Sequence, residues 1–516
     1  MTVAAAPYDL VIGIECHVEL ATRSKMFCGC AARWFGAPPN TIVCPVCLGL
    51  PGALPVPNRR AIELAIIAGL ALHCRTPEHT KFDRKNYLYP DLPKGYQISQ
   101  FDLPLSIDGW LEIPSDAGGT KRVGIRRAHL EEDTGRSFHA DGATLIDFNR
   151  SGVPLLEIVS EPDLSSAGEA LAYLESLREH VVTAGVSEFR LEEGAGRFDV
   201  NVSIRFTEDG QVRWPPQSEI KNLNSFRALE DAVAYESRRL WEDWQAGGEL
   251  RTRTGKITVG WSPERGRTFL QRQKEDVDDY RYFPEPDLVS LSPSRELVES
   301  LRAGLPEMPP DRRARFAAEY GLSEYDARIL VSDRRLAAYY EEAIRRDQRR
   351  HGSVGDTNER SEPRTSTSLG VSVEAARLIG NWLINDLRAP TKNESESDYP
   401  SVRDMKLRPE YLAELAELVC SGNVSPRFAG QVFGIARAGD TSPRLIAGAS
   451  DVAQISDEGA IAAVVDEVIA GNAKAVADFQ AGNARALDSL FGQVMKRMDK
   501  KANPAVVKRL LAERLA

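Results

Sequence analysis

Val11-Ile12-Gly13-Ile14-Glu15-Cys16-His17-Val18-Glu19-Leu20 alternates apolar and polar residues along most of its length. A strand sends successive side chains to opposite faces, so Ile12, Ile14, Cys16, Val18 and Leu20 fall on one side and Glu15, His17 and Glu19 on the other. The same division separates Phe198, Val200, Val202 and Ile204 from Asp199, Asn201, Ser203 and Arg205, and further strand-like stretches carry Glu131, Asp147-Phe148-Asn149 and Glu157. If these strands share one sheet, its polar face gathers carboxylates around an imidazole. Hard cations prefer carboxylate oxygens, and Mg²⁺ takes one or two of them together with phosphate oxygens, so the pattern suits Mg²⁺ and phosphate chemistry. The members of this candidate face are Glu15, His17, Glu131, Glu132, Glu157, Glu192, Glu193 and Asp199. Taken singly, each carboxylate is more often a solvated strand residue than a ligand, and His17 reads equally as a metal ligand or a hydrogen-bonded surface histidine.

The chain has 516 residues, 42% of them apolar, which is enough for two to four domains. A net charge of -10 argues against a protein that coats nucleic acid with its whole surface, and leaves room for a local basic patch. No run approaches the roughly 20 apolar residues that span a bilayer, and Met1 to Ala6 lacks the features of a signal peptide, so a cytoplasmic protein is expected. Seven cysteines, four of them clustered, suit a reducing compartment with a metal site better than a disulfide framework.

Strand-like alternation with Gly, Pro and Asn punctuation dominates up to about Pro286, after which the pattern turns helical. Two helices interrupt the first region. One begins near Asp163 or Ser165, carries Leu171, Leu174, Leu177 and Val181, and stops at Gly185; the other runs from Ser225 through Leu240. The expected class is α+β, with an antiparallel-sheet domain over 1–295, a helical domain over 296–405 and a small helical bundle over 406–516. Two polar stretches, 346–369 and 390–401, interrupt the helical part. The last helices carry Lys496, Arg497, Lys500, Lys501, Lys508 and Arg509, a basic cluster readable as an RNA-facing patch or as a solvated helix face.

Cys28-Gly29-Cys30 and Cys44-Pro45-Val46-Cys47 form two close pairs across a turn-rich loop, the way a tetrahedral Zn²⁺ site is assembled; four thiolates leave no open position, so such a zinc is structural. The stretch Lys81-Phe82-Asp83-Arg84-Lys85-Asn86-Tyr87 interleaves cations with aromatics, a mixture that grips phosphate and stacks on a base, or that merely snorkels from a loop. Glu219, Lys221 and Asn222 precede a helix start, where backbone N–H groups can meet a phosphate, and Tyr280 and Arg281 belong to a second cluster of acids, aromatics and Arg. There is no Gly-x-x-x-x-Gly-Lys loop, no kinase motif series, no dinucleotide fingerprint and no arrangement recommending a glutaminase nucleophile.

At Val11 to Leu20, Lys81 to Tyr87, His129 to Asp133, Pro154 to Asp163, Glu219 to Ser225 and Asp278 to Asp287 the chain resembles the GatB/GatE family of tRNA-dependent amidotransferase components, over nearly its whole length. The resemblance implies a cradle-like sheet domain that uses ATP and Mg²⁺ to phosphorylate the side-chain carboxylate of Glu-tRNA(Gln) or Asp-tRNA(Asn). It also implies an amidase partner (GatA-like) that supplies ammonia, and a small GatC-like partner completing a heterotrimer. By motif position it implies His17, Glu132 and Glu157 as Mg²⁺ ligands, with Glu15, Glu131 and Asp199 as further metal or ammonia-path residues. Lys81, Arg84, Lys85, Tyr87, Glu219, Lys221, Asn222, Tyr280 and Arg281 are the candidates for nucleotide or substrate binding. The four cysteines resemble those of zinc-binding members, and the tail resembles the YqeY-like module that holds tRNA. Phe198 stands where the family usually has Cys, Ala195-Gly196 replace larger or polar residues, and the insertion 346–369 is longer than usual. The competing reading is a non-catalytic, zinc-stabilised tRNA-binding adaptor.

Overall fold

The structure is a computed structural model that describes residues 7–515 apart from 141, 222, 224, 249–255, 274–279, 346–370, 388–407, 426–428, 433, 435–440, 450–456, 481–483 and 500. It divides into two compact units, Met1–Met308 and Pro309–Ala516.

The first unit contains strands β1 (Asp9–Glu19), β2 (Asp83–Asn86), β3 (Tyr96–Ser99), β4 (Ser106–Pro114), β5 (Thr120–Glu132), β6 (Arg136–Ala140) and β7 (Ala143–Asp147). These are followed by β8 (Pro154–Ser160), β9 (Gly196–Glu208), β10 (Gln211–Arg213), β11 (Gln217–Lys221), β12 (Lys256–Ser262), β13 (Arg267–Gln273) and β14 (Phe283–Pro284). Its helices are α1 (Arg59–Ala71), α2 (Ala167–Thr183), α3 (Phe226–Gln245) and α4 (Arg295–Ala303). The main sheet has the order β13-β12-β11-β9-β1-β8-β5-β4, with β10 paired to β9. It is antiparallel except for β11 and β12, whose parallel pairing needs the crossover that α3 supplies. Ile12, Ile14, Cys16 and Val18 share one buried cluster with Leu64 of α1, Leu177 of α2 and Leu229 of α3, so the helices cover the apolar face and leave the other face to polar groups.

One irregularity decides which side chains of β5 reach that polar face. Ile125 opposes Ser160 of β8 and Arg127 opposes Val159, so Arg126 is an extra residue, a β-bulge. Before it the core positions are Val123 and Ile125; after it they are Ala128 and Leu130. The change from odd to even core positions turns Arg127, His129 and Glu131 onto the polar face beside β8 and β1.

The expected helices form where their caps are. Ser166 Oγ accepts from Glu169 N, and Gly185, at φ 70, closes α2 with Val186 N donating to Val181 O. Ser225 Oγ caps α3 by accepting from Ala228 N. The boundary expected between 295 and 296 falls instead after Met308, because α4 packs Leu297, Val298 and Leu301 against the core of the first unit.

In the second unit, helices Pro309–Tyr320, Glu324–Val331, Arg334–Ile344, Val373–Trp382, Pro409–Cys420 and Pro443–Ala449 share a core around Phe316, Tyr340, Ile379 and Leu412. Helices Glu458–Ala470, Ala473–Gln480, Ala484–Arg497 and Pro504–Leu515 gather around Ile461, Val465, Leu490 and Leu511. The class is α+β with a helical C-terminal region. The polar stretches 346–369 and 390–401 and the expected boundary at 405/406 lie outside the described residues. No described helix is long and apolar enough to cross a membrane.

Candidate functional site

The strand registers line up the polar face in rows. His17 lies opposite Glu157 on one side and Arg197 on the other, Glu157 lies opposite His129, and Glu15 lies opposite Asp199. His17 Nε2 stands 3.3 Å from Glu157 Oε2 and 3.5 Å from Glu131 Oε1. One donor atom from each of His17, Glu131 and Glu157 lies within 4.8 Å of the others, a nitrogen and two oxygens that fit a divalent cation. His129 Nε2 is 3.5 Å from Glu157 Oε2, while its Nδ1 is buried without a hydrogen-bond partner.

The charges on these groups follow from burial set against each other's fields. Burial disfavours the His17 imidazolium, yet the hydrogen bond and charge of Glu157 and the charge of Glu131 hold its pKa up at about 9. Burial and then the like charge of Glu157 push Glu131 up to about 7. Burial opposes ionisation of Glu157 too, but the fields of His129, His17 and Lys85 keep it well below the usual carboxylate range. Burial pushes His129 down to about 4, so it is neutral at neutral pH.

Next to this trio the face carries carboxylates already matched with cations. Asp199 pairs with Lys221 at 2.8 Å; Glu219 pairs with Lys256 at 2.8 Å and accepts from Thr258 Oγ1 at 3.0 Å. Glu15 Oε1 accepts from Asn201 Nδ2 at 3.0 Å. His17 and Glu157 line one cavity with Glu15, Asp199, Glu219, Lys221 and Lys256, about 280 Å³ in volume and walled by Lys85, Tyr280 and Tyr282. An adjoining cleft of about 850 Å³ shares Lys85, Lys221 and Tyr280 and adds Tyr87, Tyr89 and Arg281. Lys85 Nζ lies 5.0 Å from the Tyr280 ring centre and 5.9 Å from that of Tyr87. Burial lowers the Lys85 pKa, but Tyr282, Glu131 and Glu157 more than reverse this and keep the ammonium charged. Asn86 Nδ2 donates to Arg281 O at 2.8 Å, tying the Tyr280–Arg281 segment to β2.

Several expected members stand elsewhere. Glu132 follows Glu131 on a strand and therefore points to the opposite side, where it pairs with Lys94 and accepts from Ile98 N at 3.0 Å; it does not join His17 and Glu157. Lys81 is held by Asp83 and Asp102, and Arg84 forks onto Glu285 at 2.7 and 2.8 Å, so neither cation is offered to a ligand. Glu193 pairs with Arg190 in the turn before β9, and Glu192 lies in that same turn. Asp147 and Asn149 clamp the loop between the cysteine pairs: Asp147 Oδ1 accepts from Asn40 N and Asn149 Oδ1 from Ile42 N. Asn222 and Lys500 lie outside the described residues.

The sulfurs of Cys28, Cys30, Cys44 and Cys47 lie within 4.8 Å of one another. The Cys44–Cys47 separation of 3.8 Å matches the edge of a tetrahedron whose zinc–sulfur bonds are about 2.3 Å. The Cys28 thiol, opposed by burial and helped by the Cys44 N–H and Lys25, pushes Cys47 down to about 4. In the C-terminal bundle the basic cluster is partly neutralised: Arg497 pairs with Glu467 at 3.2 Å, Arg509 with Glu513 at 3.3 Å and also with Glu458, and Lys508 lies 5.3 Å from the Phe491 ring centre. Lys496 lies in the last turn of the helix Ala484–Arg497, and Lys501 lies between that helix and Pro504–Leu515.

Arg127, His129, Arg197, Lys256 and Thr258 also face this site and escaped the sequence reading. The alternation Arg127-Ala128-His129-Leu130-Glu131 carries the signal for the first two; Lys256 and Thr258 arrive only through the parallel pairing.

Residues 10–299 match the family described as the GatB/GatE catalytic domain, and residues 368–515 match the family described as the GatB domain. Proteins named as the B component of aspartyl/glutamyl-tRNA(Asn/Gln) amidotransferase are similar along essentially the full length. The one from Thermomicrobium roseum is 46% identical, covering 98% of this chain and 99% of its own. That from Roseiflexus sp. strain RS-1 is 44% identical, with 99% and 98% covered, and that from Carboxydothermus hydrogenoformans is 43% identical, with 99% of each covered. With its strand registers, its acidic trio and both of its domains accounted for, the chain belongs to the GatB/GatE family of tRNA-dependent amidotransferase components.

Proposed function

We propose that this chain is the carboxylate-activating component of an ATP-dependent aminoacyl-tRNA amidotransferase, a carbon–nitrogen ligase acting on misacylated Glu-tRNA(Gln) or Asp-tRNA(Asn). A side-chain carboxylate oxygen of the aminoacyl group bonds to the γ-phosphorus of ATP as the bond to ADP breaks and its electron pair leaves with ADP. Ammonia then bonds to the acyl carbon, phosphate departs, and the nitrogen gives up a proton. The names carried by similar proteins support the tRNA substrate.

The observation that carries this reading is the His17, Glu131 and Glu157 trio beside a cavity whose wall includes the ammonium of Lys85. Those three residues would hold Mg²⁺, which when bound supplies charge neutralisation for the phosphates. Glu157 stays ionised across the neutral range, His17 must give up a proton to bind through nitrogen, and His129 flanks Glu157 as a neutral ring. Asp199 and Glu219 hold Lys221 and Lys256 at the far end of the face, where Tyr87, Tyr280 and Arg281 provide ring and cation contacts for a nucleotide or a tRNA end. The four cysteines would hold a structural Zn²⁺, leaving no open coordination position. Lacking a glutaminase nucleophile of its own, the chain draws ammonia from an amidase partner, joined with a small GatC-like partner in a heterotrimer. The YqeY-like tail, with Lys496, Lys501 and Lys508, grips the tRNA.

In the assembled complex, Glu157→Gln is expected to abolish transfer of the γ-phosphate to mischarged tRNA while tRNA binding persists. Unchanged amidation would reject the activation role and leave the adaptor reading in its place.

A further inference from the structure

We propose that Arg127 is a catalytic residue whose guanidinium, together with the Lys85 ammonium, takes the non-bridging oxygens of the phosphoryl group during its transfer. The inference rests on the activation step just described and assigns a new contact within it.

Three observations converge on Arg127. The β5 bulge places it on the polar face, two residues along the strand from His129 and four from Glu131. Bulges re-aim side chains beside active sites, and here the extra residue is Arg126, which itself turns outward to pair with Glu161 at 2.7 Å. Second, the cations of this cavity are unequally occupied. Lys221 and Lys256 are matched with Asp199 and Glu219, whereas among the described residues Arg127 makes no ion pair or side-chain hydrogen bond and its buried Nε has no hydrogen-bond partner. A buried N–H without a partner is costly, and a guanidinium satisfies planar oxyanions through paired, parallel N–H bonds. Third, the surroundings supply ring walls and a second charge. Phe101 and Tyr282 stack with ring centres 4.2 Å apart in the wall of the cavity that Arg127 lines, and Lys85 lines the same cavity against the Tyr280 ring, with no ion pair among the described residues. The cavity thus carries the Glu157 carboxylate on β8 and the His17 nitrogen on β1, with Glu131 of β5 set against His17, and two cations without an ion pair among the described residues, Arg127 on β5 and Lys85 on β2. That is the arrangement a phosphoryl group needs: a metal on some of its oxygens and N–H donors on the rest.

The test uses the complete heterotrimer with ATP and mischarged tRNA, following γ-phosphate transfer. Arg127→Gln is expected to lower kcat for transfer by ~10²–10³-fold, with a much smaller rise in KM for ATP, while glutamine hydrolysis by the partner and the melting midpoint stay as in the wild type. Added guanidinium is expected to restore part of the activity of Arg127→Ala. Arg126→Gln, on the same strand but facing outward, should behave as wild type. Transfer by Arg127→Gln within threefold of wild type, a change confined to KM, or a loss that guanidinium does not relieve would each overturn the proposal. Glu157→Gln run alongside separates the two claims: if it too retains transfer, the activation reading fails; if it is inactive while Arg127→Gln is active, only the Arg127 assignment fails.

Discussion

Glu131 and Glu132 adjoin in sequence, and the pleat of β5 sends one to the imidazole of His17 and the other to the ammonium of Lys94. Glu131→Gln should therefore weaken Mn²⁺ or Mg²⁺ binding by at least ~10-fold, as loss of a metal-supporting group does, while Glu132→Gln leaves metal binding unchanged; a titration of the two variants reads this directly. His17 sets the pH response. Its pKa rises from 6.5 to about 9 on folding, so its pairing with Glu157 contributes stability that is fully present below pH 6.5 and is lost as pH climbs through about 9. The metal-free wild type should exceed His17→Gln in stability by at most roughly 3 kcal/mol at pH 6, and the gap in denaturation midpoint should close toward pH 9.5. A bound divalent ion needs the neutral ring, so its apparent affinity should rise over the same interval. Much of this site was legible one residue at a time: alternation alone put Glu15, His17, Glu157 and Asp199 on one face. It could not show that Lys81 and Arg84 are consumed by Asp102, Glu285 and Asp287, because two of those partners lie some two hundred positions away.

At the scale of single elements, the helix α2 was readable to within a few residues, its start expected near Asp163 or Ser165 against the observed cap at Ser166 and its stop at Gly185, because both caps are local. Two features were not: the bulge at Arg126, which changes core parity from Ile125 to Ala128, and the parallel pairing of β12, which depends on where a long crossover lands. That crossover gives a measurable handle. Removing the α3 cap with Ser225→Ala should cost ~0.5–2 kcal/mol in a denaturant titration, since Ala228 N then loses its acceptor. The loop bearing the four cysteines is a second independent element, tied to the sheet by Asp147 and Asn149 and by Lys25, whose Nζ donates to Ile42 O at 2.8 Å. Met26 and Phe27 anchor its start in the main core, whereas the stretch from Cys28 to Cys47 converges on the thiols; if these hold a metal, chelation should raise hydrogen exchange across residues 28–50 and leave β1, β8 and β9 protected. Equal exchange before and after chelation would mean that the thiols hold the loop without an ion.

For the molecule as a whole, the first unit carries everything its core requires. The cluster that begins at Ile12 draws its last packing contact from Leu305, and no described residue beyond Met308 takes part in it. The second unit has two clusters of its own, one around Phe316 and Leu412 and one around Ile461 and Leu511. Units with separate cores need not unfold together, because cooperativity comes from shared burial. Residues 1–308 expressed alone should accordingly fold with a single sharp transition. The acidic trio, Lys85, Arg127, Lys221 and Lys256 all lie within this unit, so it should also bind Mg²⁺ and ATP with affinities close to those of the full chain. Transfer to mischarged tRNA should fall sharply, because the basic helices of the C-terminal bundle are missing and phosphate contacts supply much of the affinity for nucleic acid. Calorimetry on the fragment, isothermal titration with ATP and a transfer assay at raised tRNA concentration separate the possibilities. A fragment that folds and binds ATP, yet regains transfer only at high tRNA concentration, places activation in the sheet and affinity in the tail; one that folds without binding ATP would move part of the nucleotide site beyond Met308.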